Sequence, residues 1–328
     1  MHILYRQLNV ADFDHPLRGF PMMPCDRRRL LGFRRIAPAA ATAAVLVALS
    51  GSGTPAHANG WKSGARNTGS VSATAFATWR GTALGVVPGW IDWRNGWAGM
   101  NKYASGSSPR TLRSKSANVT FAHGLFPQGG NLAACAAGDY DDEQKTVARL
   151  LLNNGAGDAE IRLGWEASGD WFPWTAVGKP AAQWKACFTR VARAMKSAAP
   201  ILRISWSMAK KGRIDVRTIY PDEAPITNIG LSHYDDAQDR FGYEISNGGP
   251  WGLRAWLAFA RSKGKKLAIG EWGVGRAGDN PRYIQDMHDF LEEAGSNIAH
   301  EAYFNTGKYQ LYPVGRNPKS SALYQKLF

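Results

Sequence analysis

From about residue 80 onward the chain keeps exchanging one hydrophobic period for another, short apolar runs of β type giving way to stretches with helical spacing. The β-type runs fall at 82–88, 118–122, 160–165, 201–206, 226–232, 266–270 and 299–304. Helical patterns occupy 90–103, 140–153, 181–198, 251–262, 281–294 and 320–328. Strands joined through helices lie parallel, and this many units in one stretch favour closure over an open sheet. The pattern predicts an α/β chain with a single-domain (β/α)8 TIM barrel over 76–328. Its second strand is expected near Arg110–Arg113, inside a polar, irregular stretch, and 59–75 reads as a flexible lead-in.

The first 58 residues read as an address. Asp26-Arg27-Arg28-Arg29-Leu30-Leu31 has the twin-arginine export pattern, 39–49 is an apolar core, and Ala56-His57-Ala58 is a small-x-small cleavage site. The apolar run is well short of the ~20 residues that cross a bilayer, so no stable membrane span is expected. The expectation is an export signal over 1–58, cleaved after Ala58, and a secreted or periplasmic protein. Cys135 and Cys187 then remain, and two readings stay open: a disulfide in an oxidising compartment, or two separate buried thiols.

The whole chain carries a formal charge of +14, and without residues 1–58, which hold seven Arg and three Asp, +10. That surplus favours an anionic partner or a solvated basic surface. The basic residues are scattered and form no nucleic-acid-binding module, so the expected partner is a polysaccharide, an anionic one fitting the charge, and no nucleic acid; a monomer is expected. Gly273-Val-Gly275-Arg-Ala-Gly278 has dinucleotide-binding spacing but lacks the acidic residue that should follow, and turn glycines explain it. There is no His-Glu-x-x-His, no Cys-rich metal set and no Gly-x-Ser-x-Gly elbow. The expectation is catalysis without metal or cofactor.

Chemistry concentrates in two places. Between Arg162 and Trp174 the chain reads Arg-Leu-Gly-Trp-Glu-Ala-Ser-Gly-Asp-Trp-Phe-Pro-Trp, a carboxylate at a strand end followed by a tryptophan-rich loop. Glu271 stands in Ile-Gly-Glu-Trp-Gly, again where an apolar strand run ends. Two carboxylates on separate strand ends of a barrel suit retaining glycoside hydrolysis: one protonates the leaving oxygen, the other attacks the sugar from about 5 to 5.5 Å away. An aromatic-walled setting keeps Glu166 protonated for the first role. Arg162 either supports the site electrostatically or forms a structural pair with Glu166, and Tyr234 either holds Glu271 or packs at the rim. All thirteen tryptophans follow residue 58. Indole stacks well on sugar faces, so Trp165, Trp171, Trp174, Trp206 and Trp272 are candidate subsite walls. Trp184 and Trp256 sit in helical patterns and read as core, while Trp90, Trp93 and Trp97 fit either role. His123 lines the cleft or is an ordinary rim histidine.

These residues resemble glycoside hydrolase family 26, the β-mannanase-like branch of the retaining (β/α)8 clan. Arg162, Glu166, Gly169, Trp171, Phe172 and Trp174 keep the family's spacing around its acid/base. Tyr220-Pro221-Asp222-Glu223 is similar to its Tyr-Pro-Gly-Asp stretch, Tyr234 to its sixth-strand tyrosine, and Glu271 to its nucleophile. The resemblance implies a retaining endo-glycosidase with Glu166 as acid/base and Glu271 as nucleophile. Two departures stand out: Trp165 replaces the His that family mannanases place before the acid/base, and Tyr303-Phe304-Asn305 lacks the usual eighth-strand Trp. Mannan therefore does not follow as substrate, and a glycanase acting on the producer's own exopolysaccharide fits the charge. The rival reading is a non-catalytic carbohydrate-binding barrel, which would need neither carboxylate.

Overall fold

The computed structural model describes residues 60–67, 72–210, 213–235, 252–274 and 278–328. The expected export signal over 1–58 lies outside them, as do residues 275–277 of the glycine-rich stretch. Among the described residues the strands are β1 (Lys62–Asn67), β2 (Val87–Trp90), β3 (Val119–His123), β4 (Glu160–Leu163), β5 (Arg203–Ala209), β6 (Asn228–Tyr234), β7 (Lys266–Gly273) and β8 (Ile298–Asn305). All pair in parallel, in the order β1-β8-β7-β6-β5-β4-β3-β2. A parallel bridge from Gly64 to Val86 joins the two ends of that order. Any side chain at position 64 would collide with the Val86 carbonyl, so glycine is what lets the circle close. The fold is a (β/α)8 barrel.

Around it run helices α1 (Ala73–Arg80), α2 (Gly96–Ser105), α3 (Ser107–Arg113), α4 (Leu132–Ala137), α5 (Asp141–Leu151), α6 (Ala181–Ala198), α7 (Leu253–Ser262), α8 (Pro281–Ala294) and α9 (Pro318–Leu327). Their ends follow local chemistry. Pro281 opens α8, where its missing N–H costs nothing, and the Asn280 side chain accepts from the Tyr283 N–H. α5 carries Asp141, Asp142 and Glu143 in its first turn and Arg149 in its last, matching the helix dipole. A disulfide joins Cys135 on α4 to Cys187 on α6, with the Cα atoms 5.0 Å apart, which settles the choice between bridge and separate thiols. None of the described helices is long and apolar enough to cross a membrane.

Strand alternation sorts the side chains into two environments. Facing the barrel axis are small or polar groups such as Gly64, Arg162, Ser205, Ser207, Gly230 and Gly270. Facing the helices are large apolar ones such as Phe121, Ile161, Trp206, Ile229 and Trp272, all fully buried. Burying each contributes roughly 1.5–3 kcal/mol, so stability resides mainly between sheet and helices.

Two sequence expectations are corrected here. The segment expected as a mobile lead-in contains β1, and Arg110–Arg113, expected as the second strand, is the end of α3. Both errors have one cause. The sequence Lys-Ser-Gly-Ala-Arg-Asn shows no apolar alternation because Lys62, Gly64 and Arg66 take the inward positions, and pairing with β8 makes it a strand. With β1 unread, the run at 82–88, which overlaps β2, takes the first place in the count and the next polar stretch is left to supply a strand. Pro109 sits there in the first turn of α3, where a helix tolerates it.

Candidate active site

Glu271 reaches the barrel mouth through an irregularity in β7. Leu231 of β6 pairs with Ile269, but the next residue, Ser232, pairs with Glu271, so Gly270 is an extra residue in the ladder. Such a bulge re-aims the following side chain, and here it turns Glu271 inward after the already inward-facing Gly270. Gly270 makes room for arginine: a Cβ there would stand 2.5 Å from the Arg162 Cδ.

Arg162, buried inside the barrel from β4, donates from Nη1 to Glu271 Oε1 at 2.6 Å. Of the two readings of Arg162, the structure shows pairing with Glu271 across the barrel. Tyr234, at the end of β6, donates its hydroxyl to Glu271 Oε2 at 2.9 Å. Both carboxylate oxygens are therefore held by donors, which fixes their orientation. Burial, with the nearby charge of Glu271, pushes the Tyr234 hydroxyl well above its ordinary value, so it remains a proton-bearing donor.

Glu166 has the opposite surroundings. The chain leaves β4 through Gly164, at φ +61°, and Glu166 itself adopts φ +55°, the only non-glycine residue with positive φ among those described. A side chain in that region is uncommon and costs on the order of 1 kcal/mol or more, so neighbours must hold it. The Glu166 N–H donates to the Ser207 carbonyl at 3.0 Å, and its own carbonyl accepts from the Gly169 N–H at 2.9 Å. Its carboxyl is pushed up to about 7, first by burial and then by the negative charge of Glu271. Arg162 and a 2.9 Å hydrogen bond from the Trp171 indole Nε1 to Glu166 Oε2 act in the opposite direction.

The aromatic candidates divide. Trp171 is 43 % exposed and overlies Gly169, while Trp165 is half-buried against Phe172, with ring centres 4.4 Å apart. Trp174 is fully buried: it stacks on Phe172 at 4.8 Å, meets Trp93 edge-on, and donates from Nε1 to the Trp165 carbonyl at 2.8 Å. It scaffolds the loop and offers no face to a ligand. Trp206 and Trp272 are not subsite walls. Both project outward, Trp206 onto Tyr220 and Trp256, Trp272 onto Tyr303 and Phe328 with its indole N–H donated to Glu301. His123 also points away from the axis, its Nε2 2.7 Å from Gln144 on α5, and burial lowers its pKa to about 4, so it is neutral. In all three cases the odd–even alternation of the strand decided the face, and position near a strand end was the wrong guide.

Other residues at the mouth were missed or left open. Trp90, ending β2, meets Phe304 edge-on at 5.6 Å and carries the Arg162 guanidinium 5.0 Å from its ring centre and that of Arg66 at 4.5 Å. Tyr234 packs on Tyr309 at 4.6 Å and on Phe304 at 5.9 Å. Arg66 could have been found only by recognising β1.

What this geometry defines is a parallel (β/α)8 barrel with two unlike carboxyl groups at the C-terminal ends of β4 and β7, where such barrels carry their chemistry. Several of its structural neighbours are glycoside hydrolase family 26 proteins. GH26C from Muricauda sp. aligns with a TM-score of 0.59 and 13 % identity, over 81 % of this chain and 84 % of that one. A GH26 β-mannanase from Bacteroides ovatus aligns at 0.58 and 12 %, over 83 % and 89 %. A modular endo-β-1,4-mannanase from Cellulomonas fimi aligns at 0.57 and 18 %, over 76 % of this chain and 66 % of its own. At these identities the likeness is one of fold. No protein-family model and no curated protein matches the sequence.

Proposed function

We propose that the chain is a secreted, retaining glycoside hydrolase related to family 26, cleaving a β-linked polysaccharide in the endo mode. The observation that carries this reading is the unequal treatment of two neighbouring carboxyls: Glu271 is held by Arg162 and Tyr234, while burial pushes Glu166 up to about 7. Double displacement needs that asymmetry. Glu166 delivers its proton to the glycosidic oxygen as Glu271 attacks the anomeric carbon, so the glycosidic bond breaks and a glycosyl–Glu271 ester forms. Glu166, now ionised, takes a proton from water as that water attacks the same carbon, releasing the sugar and restoring both carboxyls. No step requires a metal or nucleotide. The sequence resemblance around Glu166 and the fold of the family 26 neighbours support the assignment, and the endo-β-1,4-mannanases among those neighbours support endo action. Export is supported by the twin-arginine pattern and fits the disulfide.

The test is Glu271→Ala. Turnover should fall by about 10⁴-fold or more, and azide should restore it with a glycosyl azide of inverted configuration, because a small anion occupies the vacated position. Unchanged activity would remove Glu271 from the mechanism.

A further inference from the structure

Trp90 is placed like a sugar platform but is engaged differently. Two guanidiniums lie against its ring, Arg66 from the end of β1 at 4.5 Å and Arg162 from β4 at 5.0 Å, and Phe304 meets it edge-on. That leaves little ring face for a sugar, in contrast with the exposed Trp171. The ring serves to seat cations, whose charge is attracted to its electron-rich face. Of the two, Arg162 already serves Glu271 through its 2.6 Å ion pair. Arg66 lies outside that pair. It is half-buried, opposite Phe304 in the β1–β8 ladder, and Phe304 in turn contacts Tyr234, whose hydroxyl touches the other oxygen of Glu271.

A second guanidinium, one aromatic ring away from the arginine that binds the nucleophile, is more than a neutral hexosyl unit needs. The planar fork of arginine matches a carboxylate with two parallel N–H donors, and partial desolvation against Trp90 strengthens that recognition. Resting on the glycosidase reading above, we infer that Arg66 is a specificity-determining residue that binds the carboxylate of a hexuronic acid unit in the sugar subsite beside Glu271. The substrate class becomes a β-linked glycan containing uronic acid. The +10 charge beyond residue 58 fits the same class by drawing an anionic chain toward the protein.

Matched oligosaccharides that differ only at the carboxylate test this. β-1,4-Linked tetramannuronate beside mannotetraose, and tetraglucuronate beside cellotetraose, should be bound to the Glu166→Ala variant by calorimetry and offered to the unaltered protein for hydrolysis. In at least one pair the acidic member should be preferred about tenfold or more, the scale of a charge-assisted bidentate contact. Arg66→Gln should bring that ratio close to one, and Arg66→Lys, which keeps the charge, should retain part of it. If Arg66 only props Trp90, Arg66→Gln will weaken both members equally and leave the ratio intact, which overturns the inference. A protein that prefers neither member, or prefers the neutral one, overturns it as well. Hydrolysis that survives Glu271→Ala would sink the parent reading, whereas hydrolysis without carboxylate preference sinks only this one.

Discussion

The rim above β4 and the rim above β7 each present one carboxyl group, and they are built on opposite principles. At the end of β7 a bulge at Gly270 aims Glu271 inward, and Glu271 is clamped by a buried guanidinium and a phenol. Above β4 the backbone enters the left-handed region, the walls are indole and phenyl rings, and the group carries a raised pKa. Donors aimed at both oxygens favour a negative charge, while burial penalises it. The same side chain is thereby fitted for two different tasks by its surroundings.

Removing the carboxyl of the aromatic rim should have the largest consequence after that of Glu271. Glu166→Ala should slow substrates with poor leaving groups by about 10²–10⁴-fold and activated aryl glycosides far less, because only the former need protonation. Equal losses on both would erase the distinction between the rims. Next comes the clamp: Arg162→Met leaves Glu271 buried without its cation, which should cost about 3–5 kcal/mol in urea unfolding as well as activity. Stability within 1 kcal/mol of the parent would show that the ion pair contributes little. Tyr234→Phe removes one hydrogen bond to a charged group and should lower kcat by about ten- to a hundredfold. An unchanged kcat would reduce Tyr234 to a packing residue.

The smallest effect is also the most specific. Since the Glu166 carboxyl sits at about 7, it is mostly protonated below that pH and ionised above it, so kcat/KM should fall as pH rises through 7. The Trp171 indole N–H bonds the ionised form and opposes the rise, so Trp171→Phe should move the alkaline limb to higher pH. A limb that stays in place, or moves down, would disconnect it from Glu166.

Much of this was legible in the sequence. The helices Ala181–Ala198 and Pro281–Ala294 fall where their periodicity puts them, and Glu166, Glu271, Arg162, Tyr234, Trp165 and Trp171 come from segments whose chemistry could be read directly. The failures share a physical origin in the barrel interior. Its inward positions are small or charged, so β1 resembled a loop, and the Trp206 between Ser205 and Ser207 resembled a functional residue when it is the outward, core-facing member of its strand. Register decides such faces, and pairing partners far along the chain decide register. The bulge at Gly270 belongs to the same class of facts, since it exists only relative to the neighbouring strands β6 and β8.

The left-handed backbone at Glu166 bears on how this protein balances durability against chemistry. Glycine adopts φ +55° without strain, so a Glu166→Gly chain should unfold at higher temperature than Glu166→Ala, and higher than the parent if the charge-penalising surroundings also relax. Selection for robustness alone would then favour glycine at 166. A glutamate kept in that conformation is a local sacrifice of thermal tolerance, of the kind expected where a residue is retained for what it does.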